Sequence, residues 1–283
     1  MIKRFCAGLL MLALLLTALT ACNSNDTVVV RPHPVILDEA VATFHFGIAF
    51  HRGNAALRDQ VWAALQVLSA NGTVGQIARN WFGHDPTMIP PDMEATAAIG
   101  AVRERTLIIG FDPTMAPMSF QNDNGELVGF DIDLARAVCD YFGWTLQPHP
   151  INWADRELEL QSGNVDCLWG GVTLTDHMRA RLYCTEPYME NRQVVVTMSN
   201  SGIRNHRGLR GGYISLTTGS AAEMALAENS GFRDSLGAIT IREHQVNCLR
   251  FLERGHTDAV LMDEVSAVFY VRTGDINAFG GVR

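Results

Sequence analysis

No Cys-x-x-Cys pair and no Gly-x-Ser-x-Gly stretch occurs in the 283 residues of this chain. The first absence leaves a structural zinc site without its usual signature; the second removes the nucleophile turn of an α/β-hydrolase. Beyond the first twenty or so residues, no apolar run is long enough to span a bilayer as a helix. Positive charge is sparse: Lys and Arg total 22 against 30 Asp and Glu, a formal net charge of −8 with no basic cluster. That balance argues against a nucleic-acid partner. His45, His51 and His84 are scattered among polar stretches without metal-ligand spacing. No catalytic residue, metal or cofactor is expected.

What is present begins with MIKRFCAGLLMLALLLTALTAC. Lys3 and Arg4 precede an apolar run from about Ala7 to Leu19, too short for an ordinary spanning helix and right for a secretory signal over residues 1–21. Leu19-Thr20-Ala21-Cys22 resembles the bacterial lipobox, which implies cleavage before Cys22 and a lipid on that cysteine; a plain signal peptide with an incidental cysteine is the alternative. Loss of Lys3 and Arg4 with no acid would take the formal charge from −8 to −10. Residues 22–34 read as a tether. The remainder has ordinary globular composition for one or two domains.

Leu57, Val61, Ala64, Leu65 and Leu68 share one helical face, Asn71-Gly72 stops that helix, and Thr73 is placed to cap the next, whose buried side is Val74, Ile77, Ala78 and Trp81. Residues 84–105 read as a linker, Pro-rich through Met93. From Thr106 apolar strands alternate with helices: Leu107–Gly110, a helix opened by Asp131 and ended by Gly143, Val165–Trp169 and Leu182–Cys184. A second unit follows, with strands at Val194–Thr197, Tyr213–Leu216, Ile239–Ile241 and Ala259–Met262 between helices at Ala221–Glu228, Val246–Leu252 and Val265–Tyr270. This alternation is that of an α/β fold.

Several fragments, in order and spacing, carry a resemblance to bacterial extracellular solute-binding proteins of family 3, the substrate-binding components of amino-acid ABC transporters. They include Asp112-Pro113-Thr114-Met115-Ala116-Pro117, Gly125-x-x-x-Gly129-Phe130-Asp131-Ile132-Asp133-Leu134-Ala135, Ser162-Gly163-Asn164-Val165-Asp166, Gly170-Gly171-Val172-Thr173-Leu174-Thr175, Glu186-Pro187-Tyr188, Gly219-Ser220 and Met262-Asp263-Glu264. Residues 46–83 resemble the closing segment of the same family, so its end here precedes its beginning. The resemblance implies a periplasmic-binding-protein-like type II fold, two α/β lobes joined by a two-strand hinge, in circularly permuted order. Lobe I is then 51–190, lobe II is 193–283 plus 34–44, and the hinge strands lie near 44–50 and 189–194. Permutation implies that Arg283 lies beside Ile36.

The same resemblance supplies the expected ligand-binding residues. Asp263 would pair with a ligand ammonium, or cap the helix that follows. Gly171 and Thr173 would offer backbone and hydroxyl groups. Thr218, Gly219 and Ser220 precede a helix whose amino end attracts anions, with plain capping by Ser220 as the alternative. Trp153 would cover the ligand or sit in the core. Met115 stands where the family is often aromatic, and Asp112 either selects a cationic side chain or closes an Asx turn with Thr114. The family's carboxylate-binding Arg falls on Met178; Arg179, one residue on, is rotated by about 100° on a helix. Cys139, Cys167, Cys184 and Cys248 read as buried thiols, with Cys167 and Cys184, on two strands of one lobe, the pair placed to test for a disulfide.

The implied function is capture of a small polar solute, most simply an amino acid, by a monomeric protein outside the cytoplasmic membrane. Its partners are an ABC permease and, through lipid on Cys22, the membrane. Two alternatives are a cyclohexadienyl-type dehydratase on the same fold, and a ligand sensor docking on a membrane partner.

Overall fold

The structure, a computed structural model, describes residues 31–274 and residue 276. The proposed signal, the lipobox cysteine Cys22 and Arg283 lie outside the described residues. Strand β1 is a single strand of 17 residues, Pro34–Phe50. Helices α1 (Ala55–Ala70) and α2 (Thr73–Phe82) follow. Residues 84–105 hold one 3-10 turn, Ala95–Ala98, and an isolated bridge from Thr87 to Met189. Next come β2 (Thr106–Phe111), the short strands β3 (Thr114–Met115), β4 (Ser119–Gln121) and β5 (Leu127–Val128), and helix α3 (Phe130–Phe142). Strand β6 (Thr145–Pro150), helix α4 (Arg156–Ser162), strand β7 (Cys167–Thr173), helix α5 (Asp176–Arg181), strand β8 (Tyr183–Cys184) and strand β9 (Met189–Met198) continue the chain. The last part is β10 (Tyr213–Thr217), α6 (Ala221–Glu228), α7 (Ser230–Ser235), β11 (Ala238–Arg242), α8 (Gln245–Glu253), β12 (Ala259–Asp263) and α9 (Glu264–Thr273).

The main sheet runs β11-β10-β12-β9-β1-β7-β2-β6, with β8 also paired to β1. Strand β1 belongs to both halves. Its first part pairs antiparallel with β9, from Pro34 opposite Met198 to Phe46 opposite Met189. Its last part pairs with β7, Phe46 opposite Thr173 and Phe50 opposite Cys167. One half of the sheet is therefore β6, β2, β7 and the end of β1; the other is β11, β10, β12, β9 and the start of β1.

Each half has its own core. Leu57, Val61 and Leu65 of α1 and Val74 and Ala78 of α2 pack with Leu107 and Ile109 of β2 and Phe130 and Ile132 of α3. The segment 46–82 thus shares a core with residues 107–138. In the other half, Leu37 and Val41 of β1 pack with Val195, Ile214, Leu216 and Leu261, while Val194, Val260 and Met262 meet Val246 and Leu249 of α8 and Tyr270 of α9. The two halves also touch directly, where the Ser266 hydroxyl of α9 donates to the Ala116 carbonyl at 2.6 Å. Among the described residues no helix is long and apolar enough to cross a membrane.

One expectation is corrected and one open pairing is decided. Thr73 does not cap α2: it is the first helical residue, and its amide donates to Asn71 Oδ1 at 3.0 Å while Gly72 takes φ +86°. All four described cysteines are free, so the Cys167–Cys184 disulfide is not formed. Cys167 pairs with Phe50 across one edge of β1 and Cys184 with Ala49 across the other. A strand lies between them, a separation of about 9–10 Å and beyond disulfide reach.

Candidate functional site

A cavity of about 800 Å³ opens where the strands of both halves end. Its walls come from the loop after β2, the turn at the end of β7 and the first turn of α4 on one side. The β10–α6 turn, the start of α8 and the end of β12 form the other. Asp112, Met115, Trp153, Gly171, Thr173, Met178, Thr218, Gly219, Ser220 and Asp263 all line it. Arg179 does not. It is exposed, because one residue along α5 turns the side chain away from the face that carries Met178. Met178 itself is 5% exposed and packs with Leu168, Val172 and Leu182.

The floor on the first side is set by Asp131, fully buried at the start of α3. Its Oδ2 accepts the Gly171 amide at 2.7 Å and the Tyr188 hydroxyl at 2.8 Å, while its Oδ1 has no partner among the described residues. Burial pushes this carboxyl up to about 7, against the lowering effect of the Gly171 and Tyr188 hydrogen bonds. Gly171 sits at φ +64°, and a Cβ there would lie 2.9 Å from Met115 Cε. Its N–H is taken, so the carbonyl is what its backbone can still offer. Asp112 closes the Asx turn: its Oδ1 accepts the Thr114 amide at 2.8 Å and the Thr114 hydroxyl at 2.7 Å. Trp153 is half-buried, with the Arg156 guanidinium 5.1 Å from its ring centroid.

Across the cavity, Asp263 ends β12 and is 7% exposed. Its side chain does not cap α9. Instead Oδ1 accepts Asn191 Nδ2 at 2.5 Å and Gln193 Nε2 at 2.7 Å, both from β9. Burial raises its pKa, opposed by these two amides. Ser220 does not cap α6 either; its hydroxyl donates to the Thr217 carbonyl at 2.6 Å. The free amide of Gly219 is used by Glu223, which accepts it at 2.8 Å.

Several wall residues escaped sequence reasoning: Asn152, Arg156, Glu157, His177, Glu243 and His244. They lie on first turns and connecting loops, where no periodicity marks a wall-facing side chain. The nearest signal was Trp153, already assigned to the site three residues before Arg156. Glu157 pairs with Arg181 at 3.3 Å and stands 3.5 Å from His177. Among the described residues no group of three or more His, Cys, Asp or Glu is arranged to hold a metal.

The sequence profile of the family described as bacterial extracellular solute-binding proteins, family 3, matches residues 107–275. The L-cystine-binding protein TcyJ of Escherichia coli is 28% identical over 189 residues, 65% of this chain and 69% of that protein. A substrate-binding protein of an ABC uptake transporter from Streptococcus pneumoniae, solved with bound histidine, superimposes with a TM-score of 0.58 at 32% identity, over 61% of this chain and 72% of the other. An ancestral amino acid-binding protein, described as a precursor of cyclohexadienyl dehydratase, gives a TM-score of 0.55 at 27% identity over 60% and 73%.

Proposed function

The chain belongs to the bacterial extracellular solute-binding proteins, family 3, and from that premise we propose that it captures an amino acid between its two halves and delivers it to an ABC importer. The observation that carries this reading is Asp263: a nearly buried carboxylate on the cavity wall, held by Asn191 and Gln193 rather than by the helix it precedes. A ligand ammonium supplies the charge such a group lacks. Relatives whose names state cystine or histidine support the ligand class.

The mechanism is closure about β1, the strand shared by both halves, and β9 paired beside it. A ligand touching both walls favours the state in which they approach, and a permease reads that state. The protein acts as a monomer outside the cytoplasmic membrane, tethered by lipid on Cys22. Permutation is part of the proposal: the segment 46–82 completes the core of the half formed by 107–190, work that a C-terminal segment does in an unpermuted order. No catalytic role is assigned; the relatives named above for cystine and histidine are binding proteins.

A thermal-shift screen of the protein against the common amino acids, amines and short peptides tests the reading. Binding to the folded state raises the melting temperature. A shift with one amino-acid class, lost in Asp263→Ala, is the expected result; no shift with any of them sinks it.

A further inference from the structure

The charged groups on the cavity wall are four carboxylates, those of Asp112, Glu157, Glu243 and Asp263, against the guanidinium of Arg156 and two histidines. An amino acid brings a carboxylate as well as an ammonium, and the wall's acidic excess offers that carboxylate few partners. Two of the amides that sequence reasoning offered it are taken, and the cation lies elsewhere. Glu223 takes the Gly219 amide, Asp131 takes the Gly171 amide, and Arg179 is outside the cavity.

Arg156 is different. Nη1 donates to the Trp153 carbonyl at 2.8 Å and the group lies 5.1 Å from the Trp153 ring. Those two contacts hold the side chain in place yet leave Nε and Nη2 without an acceptor among the described residues. No ion pair engages it among the described residues; the adjacent Glu157 is paired with Arg181 instead. Burial lowers the pKa of Arg156, and the charge of Glu157 opposes that only in part, so the cation stands partly desolvated on the cavity wall. A guanidinium in that condition gains most from a planar anion that two of its donors can grip together.

We propose that Arg156, braced by Trp153, is the residue that binds the ligand's carboxylate, in place of an arginine at position 178. The inference rests on the solute-binding reading and narrows it: the ligand carries an α-carboxylate at the α4 side and its ammonium at Asp263. Trp153 is then a positioning residue, acting through Arg156.

Isothermal titration calorimetry of the protein with L-histidine, L-arginine and L-cystine, each beside its decarboxylated amine (histamine, agmatine, cystamine), tests this. Wild type is expected to bind one amino acid about ten- to a hundredfold more tightly than the matching amine. Arg156→Gln should remove that preference by weakening the amino acid alone, Arg156→Lys should restore part of it, and Arg179→Gln should leave it intact. Equal affinity of wild type for acid and amine overturns the inference, as does an Arg156→Gln protein that binds the acid as wild type does; the solute-binding reading survives both. If none of the three binds wild type, the amino acid that raises the melting temperature in the thermal-shift screen is titrated beside its own decarboxylated amine instead; if that screen also yields none, the solute-binding reading fails first and this inference with it. Should Arg156→Gln fail to fold by its melting curve, the acid–amine comparison in wild type and Arg156→Lys decides.

Discussion

Asp131 and Gly171 are joined by a buried hydrogen bond of 2.7 Å, from the Gly171 amide to the carboxyl of Asp131, 40 residues earlier in the chain. Through it, a side chain at the start of α3 fixes the backbone turn that forms part of the cavity wall. The same carboxyl titrates near neutrality because it is buried. Its folded pKa, about 7, lies above the unfolded value near 4. The folded state therefore holds a proton that the unfolded state releases between those values, and this group's contribution to stability falls as pH rises from about 4 through about 7. At its steepest the loss is about 1.4 kcal/mol per pH unit. Asp131→Asn keeps an acceptor for Gly171 and Tyr188 and cannot titrate. Urea unfolding at pH 5 and pH 8 should show wild type losing more stability than the variant over that interval; equal losses would falsify the assignment.

Asp263 is the single acceptor of two buried amides from β9. Asp263→Ala leaves both NH2 groups without it, at a cost of about 1–3 kcal/mol in the ligand-free protein. Asp263→Asn keeps an oxygen and should cost less. Ligand-induced stabilisation should vanish in Ala and fall sharply in Asn. Melting curves with and without ligand separate the two effects; an Ala variant as stable as wild type contradicts the structural part.

Gly129 takes φ +141°, and a Cβ there would lie 2.3 Å from the Met118 carbonyl oxygen. Neither atom is the end of a flexible side chain, so Gly129→Ala forces the backbone to move and should cost about 2–3 kcal/mol or more. Gly100→Ala, where nothing lies within 4 Å of the added carbon, is the matched control and should stay near wild type. Chemical denaturation of the two variants checks this.

The thiols give a fourth test. Burial pushes Cys139 up to about 12 and Cys248 up to about 11, and raises Cys167 well above its usual value. Cys184 is the least buried of the four. A thiol reagent under native conditions, followed by peptide mapping, should modify Cys184 first and spare the other three until unfolding. Recovery of a Cys167–Cys184 linked peptide contradicts the pairing of these strands with opposite edges of β1.

The core strands and long helices were legible because burial leaves a period. Leu57, Val61 and Leu65, or Leu107 to Gly110, announce themselves by spacing or by a compact apolar run. Strand β6 was not, since Thr145-Leu-Gln-Pro-His-Pro carries two prolines and little apolar character. An edge position tolerates both, and β6 ends the sheet. The site was legible where a turn motif or an aromatic marked it, as at Gly171 and Trp153. Capping was read less well: Thr73 lies one residue inside its helix, the Ser220 hydroxyl turns back to the Thr217 carbonyl, and the Asp263 carboxyl is taken by Asn191 and Gln193 of β9. The last partners are brought in by the tertiary fold, which spacing along the chain does not report.

The continuity of β1 bears on mechanical load. Its ladder with β9 extends from Pro34 to Phe46, and hydrogen bonds between antiparallel strands lie across the strand direction. A pull on the chain at His33, directed along β1, loads that ladder in shear, many bonds together, instead of peeling them one after another. The strand that the two halves share is also the strand best placed to carry tension without coming apart.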